Sequence, residues 1–128
     1  MITHRQAVIL CGAISPEREV SLRSGKAVAN VIKDSQLVEL NENILPTWLD
    51  PKKHVVIPVI HGDFGEDGQV QAACEARGLA FAGCDSAASR LCIDKVATKK
   101  AMRAAGLPVV SEVAFSGTQK PSAEKLVA

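Results

Sequence analysis

Ala7-Val8-Ile9-Leu10-Cys11-Gly12-Ala13-Ile14-Ser15-Pro16-Glu17 is the stretch that decides the fold. Its first five residues form a continuous apolar run closed by glycine, the pattern of a strand covered on both faces. Ser15-Pro16 then supplies a helix N-cap followed by proline at the first helical position, where the missing N–H costs nothing and the fixed φ is already helical. A buried strand leading straight into a helix is the opening of an α/β fold with a parallel sheet. The helix is expected to bury Val20, Ala27, Val28, Val31 and Ile32, to turn Arg23, Lys26 and Lys33 to water, and to stop near Asp34 after about five turns.

Outward from this unit the alternation continues. Gln36 to Leu40 reads as a short strand, and Asn41 to Pro51 as an irregular connection with one turn around Thr47 to Leu49. Val55 to Ile60 is a second apolar strand, although Pro58 lacks a backbone donor and suggests an edge or a bulge. His61-Gly62-Asp63-Phe64-Gly65-Glu66-Asp67-Gly68 is a loop by composition, and Asp67 is placed to cap the helix that follows. That helix carries Val70, Ala73, Cys74 and Ala76 on its apolar side, and Gly78 ends it. Leu79 to Ala82 is a strand, Ser86 to Leu91 a short helix and Asp94 to Ala105 a longer one, closed by Gly106 and Pro108. Val109 to Phe115 reads as a strand, and a new helix starts at Ser122.

Size and composition agree with a folded domain. With 128 residues, 47% hydrophobic and 23% charged, the chain can bury a core without staples and matches neither a disordered tail nor a fibrous repeat. Fifteen basic and fourteen acidic side chains leave a net charge of +1, with no basic footprint, and three Phe, one Trp and no Tyr offer few stacking platforms; nucleic acid is not an expected partner. The longest apolar runs are far short of the ~20 residues a membrane helix needs. Pro16-Glu17-Arg18-Glu19 stands where a signal peptide would have its small-residue cleavage site, so neither a leader nor a membrane location is expected. The four cysteines, at 11, 74, 84 and 92, match no Cys-x-x-Cys pattern and are expected as free thiols in a reducing cytosol.

In a parallel α/β sheet, ligands gather outside the carboxyl ends of the strands, which points to Gly12 to Ser21 and His61 to Gly68. Glycine is missing at 14 and 17, so the first loop is not a dinucleotide fingerprint. Glu17 and Glu19 have two readings. Acids in a first helical turn complement the helix dipole by ~0.3 to 1 kcal/mol. A carboxylate at the mouth of a crevice can instead hold an ammonium through a charge-assisted bond of roughly 1.5 to 3 kcal/mol. Spacing alone favours the first. His61 can bond to backbone or serve as a polar group beside a reacting carboxylate. No metal site is expected, because no second His or Cys stands at ligand spacing. Glu66 and Asp67 read most simply as helix-capping acids, and Ser21 and Ser24 as exposed or back-bonded hydroxyls.

Together, the block Gly12 to Gly25 with its Glu17-Arg18-Glu19-Val20-Ser21 core, then His61-Gly62-Asp63-Phe64-Gly65-Glu66-Asp67-Gly68, then Asp94-Lys95 with Lys99 and Ala105-Gly106-Leu107-Pro108, resemble the amino-terminal part of the D-alanine-D-alanine ligase family. The likeness covers essentially the whole chain. It implies a Rossmann-like, pre-ATP-grasp parallel sheet with helices on both faces as a substrate-binding domain over residues 1–106, and the first elements of an ATP-grasp central domain over 107–128. It also implies a cytoplasmic, homodimeric bacterial enzyme of peptidoglycan biosynthesis, using ATP and Mg²⁺ (or Mn²⁺). One D-alanine carboxylate is activated as an acyl phosphate and a second D-alanine attacks it. By the same resemblance Glu17 holds the first D-alanine's ammonium with His61 beside it, and Gly12 and Ser15 border the substrate. Ser21, Glu66 and Asp67 support these residues, and Lys95 meets the nucleotide. Two dipeptides depart from the family pattern, Gly12-Ala13 where Gly-Gly is usual and Ala80-Phe81 where Pro-Tyr is usual. The resemblance places most ATP and metal contacts beyond Ala128, so the 128 residues alone are expected to be inactive. A ligase joining D-alanine to D-lactate or D-serine, or a non-catalytic binding module of the same fold, are the alternatives.

Overall fold

The computed structural model describes residues 4–124. The chain divides into two compact units, Met1–Ile93 and Asp94–Ala128. The first runs β1 (Gln6–Gly12), α1 (Arg18–Val31), β2 (Gln36–Leu40), β3 (His54–Pro58), α2 (Gln69–Ala76), β4 (Ala80–Phe81) and α3 (Ser86–Ile93). Its four strands are parallel and ordered β2-β1-β3-β4. From β1 the chain crosses outward to β2, and the next crossover returns to the other side of β1, so the switch point of the sheet lies between β1 and β3.

Alternation along β1 separates two faces. Val8 and Leu10 join Val56, Val70, Cys74 and Leu79 in the main core, which Leu45, Leu49, Ile60 and Phe64 complete. Cys11 faces the opposite way, against Gly25 of α1. Helices therefore cover both faces, and β1 is fully buried from Val8 to Cys11.

The face that α1 buries differs from the expected one. Val20 and Val31 are exposed, and the buried positions are Ser21 and Gly25, one turn apart. Close approach is the reason. A Cβ on Gly25 would lie 2.6 Å from Cys11 Cβ and 2.8 Å from its Sγ, so only small residues fit where α1 meets β1. Apolar periodicity finds a helix that docks through large side chains, and this one does not. The helix also starts later than Ser15-Pro16 suggests: residues 15 to 17 form a turn in which Arg18 N–H donates to Ser15 O at 3.1 Å, and α1 has 14 residues.

Pro58 proves compatible with an interior strand. Val56 O accepts from Ala82 N and Val59 N donates to Leu10 O, so alternation turns position 58 toward β4, which ends at Phe81. The missing donor falls where the ladder is already running out. At α2 the N-cap is Gly68, with φ +89°, not Asp67; the Asp67 carboxylate still takes Gln69 N–H at 3.0 Å and also Phe64 N–H at 3.1 Å. Gly78, with φ +63°, ends α2 as expected.

In the second unit, α4 (Lys95–Ala104) is capped by Asp94, whose side chain accepts from Val96 N and Ala97 N. The expected strand over 109–115 is absent: among the described residues no strand lies beside it, and Val110, Val113 and Phe115 are exposed. A parallel strand without a ladder partner has nothing to satisfy its backbone. Ala123 and Glu124 are helical, and the rest of the helix expected from Ser122 lies outside the described residues.

Candidate functional site

The loop after β1 is braced before it reaches Glu17. Ala13 N–H donates to Leu40 O at 2.8 Å, and Ile14 N–H to Asn43 Oδ1 at 2.8 Å. Arg18 adds a three-way clamp, donating through Nη1 to Ala13 O and Leu40 O and through Nη2 to Asn41 Oδ1. The bracing roles of Arg18, Leu40, Asn41 and Asn43 were not anticipated from the sequence. The available signal was the sign of Arg18: a cation in the first helical turn opposes the helix dipole and needs carbonyl partners of its own. Ala13 holds φ +66° while only 1% exposed, so the alanine that departs from the family pattern still adopts the left-handed turn.

Two serines join this loop to the one after β3. Ser15 Oγ donates to His61 O at 2.9 Å and accepts Glu17 N–H at 3.1 Å. Ser21 Oγ accepts Gly12 N–H at 2.8 Å and donates to Val59 O at 2.6 Å. Ser21 is 0% exposed, which corrects the exposed-hydroxyl reading. The single hydroxyl proton of Ser15 is committed to His61 O, so this group serves the loops and is not a free donor for a ligand.

Glu17 and His61 thereby reach the same side of the sheet. Gly62, at φ +72°, passes directly under them: a Cβ there would sit 2.9 Å from Ser15 Oγ and 3.0 Å from Glu17 Oε2. Glycine is required for both the backbone angle and the space. Glu17 occupies the N-cap position of α1 without making a side-chain cap bond, and its carboxylate has no hydrogen-bond or ion-pair partner among the described residues. Its place at the helix N-terminus still suits the helix dipole, but no cap bond engages the carboxylate. Glu19 remains a first-turn acid of the helix-dipole kind. The His61 ring is spanned by Glu66 Oε1, 3.4 Å from Nδ1, and Ser24 Oγ, 3.3 Å from Nε2, so Glu66 orients the histidine and not a helix end.

The loop carrying His61 is anchored from below. Phe64, only 3% exposed, inserts its side chain into the main core at φ +70°. Asp67 fixes the turn through the bonds from Phe64 and Gln69 N–H. Burial would push its carboxyl up, but these donors, with the Gln69 side-chain amide, hold it below the usual carboxylate range.

Lys95 opens α4 in the second unit, exposed, with no partner for its ammonium among the described residues. Lys99 and Arg103 are paired instead with Glu112, at 3.2 and 3.1 Å. Among the described residues no group of three or more His, Cys, Asp or Glu side chains is arranged to hold a metal ion, and no helix is long and apolar enough to cross a membrane. Cys11 and Cys74 are buried and Cys84 and Cys92 exposed, all four as free thiols.

An α/β domain that brings a free carboxylate and an oriented histidine over the switch point of a parallel sheet belongs to the doubly wound class, in which ligands gather at that edge. Comparison with known proteins sharpens that class. The chain is 35% identical over 126 residues to the D-alanine-D-alanine ligase of Carboxydothermus hydrogenoformans, covering 92% of the chain and 39% of the relative, and 36% identical over 128 residues to that of Desulforudis audaxviator, covering 97% and 42%. Among solved structures, the Bacillus anthracis D-alanine-D-alanine ligase complexed with ATP superposes with a TM-score of 0.77 at 26% identity, covering 97% of this chain and 44% of that one. The Aeromonas hydrophila ligase gives 0.72 at 27%, covering 91% and 52%. No family model matches. The chain belongs to the D-alanine-D-alanine ligase family and fits its amino-terminal part, spanning about two fifths of the length of these curated relatives.

Proposed function

We propose that these residues form the portion of an ATP-dependent D-alanine-D-alanine ligase that receives the first D-alanine. The observation that carries the reading is the Glu17 carboxylate, unpaired among the described residues and held over Gly62 beside His61, in a chain of this family. Glu17 accepts a hydrogen bond from the substrate ammonium, a charge-assisted contact of roughly 1.5 to 3 kcal/mol. His61, kept in place by Glu66 and Ser24, lies near the substrate carboxylate and orients it. Gly12, at φ +85°, ends β1 beside this site, and its missing side chain leaves room for the Arg18 clamp: a Cβ there would stand 2.7 Å from Arg18 Nη1.

ATP, when bound, supplies the phosphoryl group that activates that carboxylate. Within this chain Lys95 is the residue we assign to the nucleotide: its ammonium has no partner among the described residues and suits phosphate, whereas Lys99 and Arg103 are committed to Glu112. The described residues offer no metal ligand cluster, so Mg²⁺ would be held elsewhere in the full-length enzyme and no step here runs through it. The rest of the proposal follows the family: residues 1–106 as the substrate-binding domain, 107–128 as the start of the central domain, and a cytoplasmic homodimer in the service of peptidoglycan synthesis. The 128 residues alone are proposed to lack turnover.

The test is phosphate release from ATP and Mg²⁺ by the full-length protein, with the product analysed against D-alanine, D-serine and D-lactate as second substrates. D-alanine-dependent release with D-alanyl-D-alanine as the main product supports the reading. Release without any requirement for D-alanine rejects it, and turnover by the 128-residue chain alone rejects the inactivity of the segment.

A further inference from the structure

We infer that Ser21 is a positioning residue, its hydroxyl standing in for the last rung of the β1–β3 ladder and so setting how far the crevice between the Glu17 and His61 loops opens. The register shows the substitution. Leu10 pairs with Pro58, and Val59 N–H donates to Leu10 O at 2.8 Å. Continued regularly, the next rung would be Gly12 N–H to Val59 O. Instead Gly12 N–H donates to Ser21 Oγ at 2.8 Å, and Ser21 Oγ donates to Val59 O at 2.6 Å. With a tetrahedral angle at the oxygen, those two bonds span about 4.4 Å where a direct rung spans about 2.9 Å. The strand ends are therefore held roughly 1.5 Å further apart with Gly12 N–H and Val59 O both satisfied.

Ser15 repeats the device one step higher. Val59 O and His61 O are two residues apart, and each accepts a serine hydroxyl, from Ser21 and Ser15 respectively. On the β1 side those serines hold Gly12 N–H and Glu17 N–H. Glu17 and His61 thus belong to two loops cross-braced by a pair of hydroxyls, and Ser21, fully buried between α1 and the switch point, is the lower brace. The inference rests on the ligase reading for what the crevice receives, but the brace itself is a property of the fold.

Two measurements separate those levels. In the 128-residue chain, amide exchange at Gly12 is followed by NMR in the wild type and in Ser21→Ala; removal of the acceptor is expected to speed exchange roughly ten-fold or more. In the full-length enzyme, Ser21→Ala and the less buried Ser15→Ala are expected to raise KM for the first D-alanine roughly five-fold or more with KM for ATP unchanged, and Ser15→Thr, which keeps the hydroxyl, is expected to restore it. A variant that merely unfolds in part loses kcat through inactive protein and leaves KM alone. Unchanged Gly12 exchange overturns the brace. Faster exchange with unchanged KM for D-alanine in both alanine variants overturns the positioning role. Wild-type enzyme that protects Gly12 yet shows no D-alanine-dependent phosphate release supports the brace and overturns the ligase reading alone.

Discussion

Gly25→Ala tests whether α1 docks on β1 as closely as the structure shows. In an exposed helix interior this change is stabilising by ~1 kcal/mol, because glycine is the poorest ordinary helix former. At Gly25 the new Cβ would stand 2.6 Å from Cys11 Cβ, 2.8 Å from Cys11 Sγ and 3.3 Å from Leu37 Cδ1. Carbon atoms rest at about 3.5 to 4.0 Å, so the helix must lift by roughly 1 Å from a strand that is fully buried. Overpacking of this kind costs ~1 to 3 kcal/mol, which offsets or exceeds the gain in propensity and leaves a net loss of ~0 to 2 kcal/mol. For a unit of this size each kcal/mol lowers Tm by about 4 to 8 °C. Thermal and urea unfolding read the effect, and a second background isolates the contact. In Cys11→Gly, which removes both offending atoms, adding Gly25→Ala should be neutral or stabilising. A rise in Tm for Gly25→Ala in the wild-type background would refute the close packing of α1.

Arg77 donates to Pro46 O, Thr47 O and Leu49 O at 2.8, 3.0 and 2.6 Å, holding the segment whose Leu45 and Leu49 complete the core. Arg77→Lys keeps the charge and loses the fork, and denaturant unfolding should show a loss of ~1 to 3 kcal/mol; a change below about 0.3 kcal/mol would mean the clamp is idle. Burial pushes the Cys74 thiol from its ordinary value of 9.0 up to about 11. The unfolded chain therefore ionises first, and the contribution of Cys74, complete below pH 9, should be lost by about 1.4 kcal/mol per pH unit as pH rises toward 11, a slope that Cys74→Ala should reduce. A thiol reagent at neutral pH should modify Cys84 and Cys92 in the native chain and reach Cys11 and Cys74 only after unfolding.

The class of fold was legible because Ala7 to Cys11 and Val55 to Ile60 are apolar without interruption, the pattern of strands covered on both faces. Glycine and proline punctuation placed the ends of α2 and α4 to within a residue or two. What escaped was written in small and polar side chains. Ser21 and Gly25 carry no hydrophobic signal, yet they are the buried face of α1, because contact at short range selects for the absence of bulk. The clamp of Arg18 on Ala13, Leu40 and Asn41 joins residues up to 23 positions apart, and no local pattern encodes such a pairing. Glu17 and His61 illustrate the middle case. Spacing alone favoured a helix-dipole acid and a backbone-bonded histidine; the motif resemblance selected the functional reading, and the fold brings the two onto loops joined through Ser15.

The central claim is that Glu17 receives the ammonium of the first D-alanine, and the most direct measurement is the KM for D-alanine of the full-length Glu17→Gln enzyme. Glutamine keeps the shape and one acceptor but forfeits the ionic part of the bond, so KM at the first site should rise roughly ten-fold or more while KM for ATP stays within about two-fold. A D-alanine KM indistinguishable from wild type, with Gly62 still passing beneath the substituted side chain, would contradict the account.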